Sequence, residues 1–131
     1  MSADLKYLLF STILTFGQML VAALGANLAV GLNTLAGNRE HLPEITGWAG
    51  RAKRAHLNMI ENMVLFGALV LIGAVSGKAN AATATGAMIF FWARVAYAAI
   101  YIAGVPWLRS MAWFVSVIGM AVIVLELVKA L

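Results

Sequence analysis

Apolar residues occur along the chain in four long runs, with polar residues gathered between them. A helix that crosses a bilayer takes about 20 predominantly apolar residues, and each run reaches that length. Four spans are therefore predicted, at residues 5–34, 52–76, 81–103 and 107–128. The pattern predicts an all-α fold, an integral membrane four-helix bundle that forms a single domain over residues 1–131.

Polar and turn-forming residues mark the connections between these spans. The segment 37–50 (GNREHLPEITGWAG) holds three glycines and one proline and predicts the one substantial loop. Residues 77–80 predict a tight turn. Gly104, Val105 and Pro106 end the third span, because proline cannot continue the helical hydrogen-bond ladder. At about 20 residues per span, a chain of 131 residues has room for four spans with these connections and for no fifth span.

The composition excludes a water-soluble globule. The 131 residues are 63% hydrophobic and 11% charged, with a mean hydropathy of +0.93, whereas a soluble domain carries about 25% charged residues. The lipid bilayer is therefore the expected solvent. Nucleic-acid binding is not expected despite the net charge of +4, because lysine and arginine are scattered among apolar runs. With no cysteine and two histidines, no metal site is expected.

Basic residues near the span ends predict the orientation in the membrane, because cytoplasmic loops carry an excess of lysine and arginine. The first and third loops hold five such residues, namely Arg39, Arg51, Lys53, Arg54 and Arg109. The opposite side holds three, namely Lys6, Lys78 and Lys129. We therefore expect a multi-pass protein with loops 1 and 3 in the cytoplasm and both termini on the opposite side.

Polar and ionisable residues recur inside the predicted spans. A charge in mid-span costs about 2.5 to 3.5 kcal/mol, so such residues usually face the bundle interior and often a site. The third span carries three polar or ionisable residues on one helical face, and the second span carries another three on one face. They are Arg94, Tyr97 and Tyr101, and Arg54, Asn58 and Glu61. His56 lies off the stripe and is expected at the interface or in solvent.

Glu61 and Arg94 are expected to meet, because at 1.5 Å per residue both lie roughly 14 to 15 Å into the membrane from the cytoplasmic side. One interpretation is a purely structural ion pair. Arg54 alone could contact a lipid phosphate, and the two tyrosines alone could form an interfacial aromatic belt. With Arg109 added, three arginines, one acid, one amide and two phenols at one end of three helices suit a small anionic or zwitterionic molecule.

Two motifs carry these residues at characteristic spacings. They are Arg54-Ala55-His56-Leu57-Asn58 followed by Glu61, and Ala93-Arg94-x-x-Tyr97-x-x-x-Tyr101 followed by Pro106 and Arg109-Ser110. The motifs resemble those of the MAPEG superfamily, the membrane-associated proteins in eicosanoid and glutathione metabolism, and the resemblance extends from about residue 5 to 128. It implies a four-helix protomer that assembles as a homotrimer, with glutathione bound between neighbouring protomers near the cytoplasmic side.

The resemblance also implies roles for the matching residues. The residues expected to hold glutathione are Arg54, Asn58, Glu61, Arg94, Tyr97 and Tyr101. Arg109 would stabilise the thiolate, and Tyr101 could donate a hydrogen bond to it or to the substrate. Ser110 matches a serine discussed as catalytic in the prostaglandin E synthase branch, and Tyr97 matches a tyrosine of the leukotriene C synthase branch. The implied activity is a glutathione-dependent transferase or peroxidase acting on apolar electrophiles or lipid hydroperoxides.

Two other classes of function stay open. A non-catalytic relative that binds lipid or a partner protein is favoured by the small number of arginines. A transporter or channel subunit is disfavoured, because charge clusters at one side and no ionisable residue crosses the outer half of the membrane. Glutathione binding separates the enzyme from the non-catalytic relative.

Overall fold

The structure consists of helices joined by short connections. The computed structural model describes residues 1–131, with helices α1 (Ala3–Val30), α2 (Leu32–Ala36), α3 (Gly47–Val75), α4 (Ala81–Ala103) and α5 (Pro106–Lys129). All except α2 are long and apolar enough to cross a membrane. The prediction of an all-α protein with four membrane-spanning helices is confirmed, and the chain is an integral membrane protein of the multi-pass kind.

The first spanning helix is shorter than predicted. α1 ends at Val30 and not at residue 34, because Gly31 adopts a positive φ of 85° and turns the chain before α2 begins. Glycine takes this conformation without the steric penalty that a Cβ imposes. A single glycine inside an apolar run therefore separates the spanning helix from a five-residue continuation.

The second spanning helix begins earlier than predicted, at Gly47 and not at residue 52. Its first turn packs against α1, where a Cβ on Gly25 would come within 2.9 Å of the Cβ of Ala49. Ala49 is buried at this crossing. Glycine disfavours a helix by propensity, but Gly25 permits the close approach of α1 to Ala49, and this contact stabilises the first turn of α3.

The connection between α4 and α5 is built as predicted. Gly104 adopts a left-handed conformation with φ 85° and ψ 32°, and its N–H donates to the carbonyls of Ile100 and Tyr101. Pro106 is the first residue of α5, where its missing N–H costs no helical hydrogen bond. This short break keeps the end of α4 beside the start of α5, which brings Tyr101 and Arg109 to the same end of the bundle.

α4 and α5 cross in backbone contact at Gly86 and Gly119. A Cβ on either glycine would lie 2.6 Å from the carbonyl oxygen of the other, so the crossing requires residues without side chains. The rings of Phe66 and Phe90 stack at the centre of the apolar core, with centroids 3.9 Å apart. This core holds together α3, α4 and α5, the three helices that carry the predicted site.

The buried face of α1 is polar or small, and its exposed face is apolar. The buried residues are spaced seven apart, or about two helical turns, and they are Asp4, Ser11, Gln18 and Gly25. Large apolar side chains such as Phe16 and Leu24 are exposed on the other side. A helix in water shows the reverse arrangement, whereas small and polar residues pack helix against helix in lipid. The exposed apolar face is therefore the lipid-facing one.

Candidate functional site

A polar cavity of about 260 Å³ lies at the end of the bundle where α3 begins, α4 ends and α5 begins, here called the site end. Three helices supply its lining, which comprises Asn58, Tyr97, Tyr101, Arg109, Ser110 and Trp113. Five of these were predicted as site residues from the sequence, and Trp113 was not. The periodic spacing on α4 and the break before α5 bring the predicted residues of three helices to one place.

Tyr101 stands between two guanidinium groups. Arg54 Nε donates a hydrogen bond to the hydroxyl oxygen of Tyr101 at 3.2 Å, and the Cζ of Arg109 lies 4.6 Å from the centre of the Tyr101 ring. Because the hydroxyl oxygen already accepts from Arg54, the hydroxyl proton of Tyr101 is free to be donated to a ligand. Arg109 on the ring face adds a permanent positive charge at the same point.

Arg94 supports the wall of the cavity from behind. Its side chain is fully buried, and Nη2 donates to the Oδ1 of Asn58 at 2.9 Å. Nε donates to the sulfur of Met59 at 3.3 Å, and Cζ lies 4.2 Å from the centre of the Tyr97 ring. Arg94 does not line the cavity, although it was predicted to contact the ligand directly. Its contacts instead hold Asn58 and Tyr97, which do line it.

Asn58 is oriented by two donors. Its Oδ1 accepts from Arg94 and also from Nδ2 of Asn62 at 3.3 Å, while Asn62 Nδ2 donates to the backbone carbonyl of Asn58 at 2.8 Å. With its oxygen occupied, the amide of Asn58 has only N–H donors left for the cavity. Asn62 was missed from the sequence, although it lies one turn beyond Asn58 and extends the polar stripe of α3.

The predicted ion pair between Glu61 and Arg94 is wrong. Glu61 is exposed, and the one ion pair in the structure joins Lys129 Nζ to Glu126 Oε1 at 2.6 Å. Arg94 does reach the expected turn of α3, since it bonds Asn58 and Met59. Successive residues of a helix are rotated by about 100°, so Glu61 points away from the face on which Asn62 is buried. Arg94 meets α3 at the predicted depth, but Glu61 lies on a different side of α3 from the one that the prediction required.

Ser110 lines the cavity and is exposed, and Arg54 contacts the cavity residue Tyr101 from the exposed surface. The Ser110 hydroxyl donates to the carbonyl of Pro106 at 3.3 Å, so its oxygen is left to accept a hydrogen bond. Arg54 is exposed apart from its bond to Tyr101. Glu61 is exposed too and lines no part of the cavity.

The cavity lining presents donors and positive charge, with no carboxylate among its residues. The N–H groups of Asn58, the O–H of Tyr101 and the guanidinium of Arg109 all favour an anion. Fold and site together define a class, an integral membrane four-helix protein with a donor-lined cavity at one end of its bundle.

Comparison with known families assigns the chain within that class. The model of the MAPEG family matches residues 7–129. The chain belongs to the MAPEG family, which confirms the resemblance seen in its motifs. The family is glutathione-related and includes glutathione transferases and peroxidases as well as non-catalytic members. Neither the curated proteins nor the solved structures contain a match to the chain.

Proposed function

We propose that this protein binds glutathione at the polar cavity and uses its thiolate as a nucleophile, as a transferase or peroxidase. Glutathione has two carboxylates, one ammonium group and a thiol. The observation that supports this proposal is the carboxylate-free lining around Tyr101, where the guanidiniums of Arg54 and Arg109 both contact one phenol. Such a lining favours an anion, and the thiolate on the central cysteine of glutathione is an anion.

The cavity would activate the thiol by favouring its charged form. A guanidinium near sulfur and a hydrogen bond to the thiolate both lower the pKa of a thiol. Arg109 supplies the positive charge. The hydroxyl of Tyr101 donates a hydrogen bond to the sulfur and keeps its proton. Ser110, with its proton engaged by the Pro106 carbonyl, has a free oxygen to accept the thiol hydrogen bond before ionisation.

Two reactions follow from a bound thiolate. In a transferase, the thiol proton leaves to solvent, sulfur forms a bond to an electrophilic carbon, and the leaving group departs with its electron pair. In a peroxidase, sulfur attacks an oxygen of a lipid hydroperoxide, the O–O bond breaks, and an alcohol forms after protonation. The resulting sulfenic acid then reacts with a second glutathione to give a disulfide and water. Apolar electrophiles or lipid hydroperoxides fit a substrate that enters from the bilayer.

The remainder of the tripeptide would lie outside the cavity, against exposed residues at the site end. Arg54 can pair with a carboxylate, and Glu61 can pair with the ammonium group. We propose that a neighbouring protomer of a homotrimer covers these exposed groups and completes the site. We propose that this end faces the cytoplasm and both termini the opposite side, because the first loop is rich in basic residues. A soluble thiol would then enter from the cytoplasm.

A non-catalytic lipid- or partner-binding protein is the second candidate. One observation favours it. Arg94 is buried outside the cavity lining, so that only Arg54 and Arg109 can contact an anion. Two guanidiniums are also sufficient to hold a lipid phosphate. The two candidates differ in whether a bound thiol is ionised and reacts.

Calorimetry and an activity assay on the detergent-purified protein separate the candidates. We expect saturable glutathione binding, together with conjugation of an aromatic electrophile or reduction of a lipid hydroperoxide. Binding without turnover of either substrate would favour the non-catalytic candidate. No detectable binding at millimolar glutathione would overturn the proposal. Native mass spectrometry in detergent tests the assembly, for which we expect a trimer and which a ligand-binding monomer would contradict.

A further inference from the structure

A second cavity lies between α1, α3 and α4 and shares no residue with the polar cavity. It has a volume of about 190 Å³ and is here called the α1 slot. Its lining residues are Leu14, Gly17, Gln18, Val21, Ala52 and Ile102. Gln18 is the only one of these with a polar side chain. The slot is therefore an apolar space that contains one amide.

The amide of Gln18 has no hydrogen-bond partner. The residue is 7% exposed, and both its Nε2 and its Oε1 are buried without a partner. The carbonyl of Ile102, a residue of the slot lining, accepts from Arg51 Nε at 2.9 Å and makes no hydrogen bond with Gln18. A buried amide without partners costs free energy comparable to the hydrogen bonds it lacks. Such a group in a cavity marks a place where a ligand can supply them.

A trapped water does not satisfy this amide well. An ordered internal water needs two to four polar partners, and the side chains of the slot provide only those of Gln18. The volume corresponds to about six waters at their share of the liquid, which suits a polar head followed by a few carbons. Val21 at the slot is 39% exposed on the lipid-facing surface, so the remainder of a chain can extend into the bilayer.

We propose that the α1 slot binds a single-chain amphiphile drawn from the bilayer, whose uncharged head carries one donor and one acceptor. A primary amide and a protonated carboxylic acid both have this head, and each can form two hydrogen bonds with the carboxamide of Gln18 in a closed ring. A charged head is disfavoured, because no charged residue lines the slot. The inference is independent of glutathione, since none of the residues involved lines the polar cavity.

Photolabelling with matched amphiphiles tests this proposal on the purified full-length protein. The probes are a medium-chain primary amide with a diazirine in its chain, the corresponding carboxylic acid, and the methyl ester, which lacks a donor. We expect saturable labelling by the amide, and by the acid at a pH that protonates it, on peptides containing residues of the slot. The ester is expected to need about tenfold more probe for half-saturation, since it forms one hydrogen bond fewer.

Two variants and one control identify the slot as the place of labelling. Gln18→Leu keeps the bulk and removes the amide, and it is expected to raise the half-saturating amide concentration about tenfold. Gly17→Leu is expected to abolish labelling by filling the slot, because a Cβ at Gly17 meets nothing within 4 Å and the helix can accept the side chain. Ala23→Leu, on the exposed surface of α1, is the matched control and is expected to label as the wild type does.

The outcomes are decisive in either direction. Equal labelling by amide and ester, unchanged in Gln18→Leu, would mean partition into the lipid-facing surface and would overturn the proposal. Labelling that persists in Gly17→Leu would do the same. Circular dichroism of each variant confirms that the helices are intact. Glutathione calorimetry run in parallel keeps a failure of the slot distinct from a failure of the polar cavity.

Discussion

The two ends of the bundle handle charge in opposite ways. At the end away from the site, Glu126 accepts hydrogen bonds from Lys129 at 2.6 Å and from Asn80 at 3.3 Å, so its charge is balanced where it stands. At the site end, Arg54 and Arg109 contact one tyrosine and have no carboxylate partner. A balanced network needs nothing further, whereas unbalanced cations in a membrane protein mark a place for an anion.

The largest effect should come from the hydroxyl at the centre of the unbalanced end. In Tyr101→Phe the ring that contacts Arg109 stays and the donor to the thiolate is lost. Turnover of an aromatic electrophile should fall by about 100-fold, the usual cost of removing one donor from a developing or reacting anion. Glutathione affinity should change much less. Tyr7→Phe, on a ring that packs with Phe10 and Phe91, is the control and should retain full turnover.

Arg94→Met should separate binding from stability. Methionine fills a similar volume without charge, so the variant relieves a buried cation that has no acid partner. Asn58 loses one of the two donors that orient its amide, and glutathione binding should weaken by about tenfold. The thermal midpoint in detergent should be unchanged or higher. A lower midpoint with unaltered binding would show that Arg94 is structural alone.

At the balanced end the effects should be small. Glu126→Gln removes a pair in which the Lys129 side chain is 70% exposed. Because exposed ion pairs contribute little to stability and are screened by salt, the thermal midpoint in detergent should change little, and less still at high salt. Glutathione binding and turnover should equal those of the wild type. Any loss of activity would break the contrast between the two ends.

The smallest effect should be the coupling between Glu61 and Arg94. Since the structure places no contact between them, the stability changes of Glu61→Gln and Arg94→Met should add to within about 0.5 kcal/mol. A double-mutant cycle on thermal unfolding measures this. A coupling larger than about 0.5 kcal/mol, as is found for residues in contact, would restore the ion pair that the sequence suggested.

The helices were predictable because the bilayer demands them. Backbone groups in hydrocarbon must bond within the segment, so four apolar runs could only become four helices. The errors in the helix bounds lie at glycines. Gly31 ends α1 and Gly47 begins α3, and both adopt a positive φ, of 85° and 65°. The sequence shows that a glycine is present, but it does not show whether that glycine ends a helix or begins one.

The sequence predicted which residues of the site share a helix face, but it did not predict which side chains contact one another between helices. Spacing placed Asn58, Tyr97 and Tyr101 correctly, because residues three or four apart share a face. It did not specify which edge of the α3 stripe faces inward, so Glu61 was paired with Arg94 where Asn58 bonds it. Trp113 lines the cavity because α5 crosses α4 at Gly86 and Gly119. The spacing of residues along a single helix does not predict how two helices cross.

The proposed stabilisation of a thiolate by Arg109 in the polar cavity can be measured by the ultraviolet absorbance of that thiolate. Glutathione added to the wild type at neutral pH should produce a saturable thiolate absorbance. Arg109→Ala should abolish the absorbance while weakening binding less, and Arg109→Lys should reduce it, since an ammonium lacks the planar fork of guanidinium. Arg39→Ala, in the exposed first loop, should match the wild type. Full thiolate absorbance in Arg109→Ala would contradict the account.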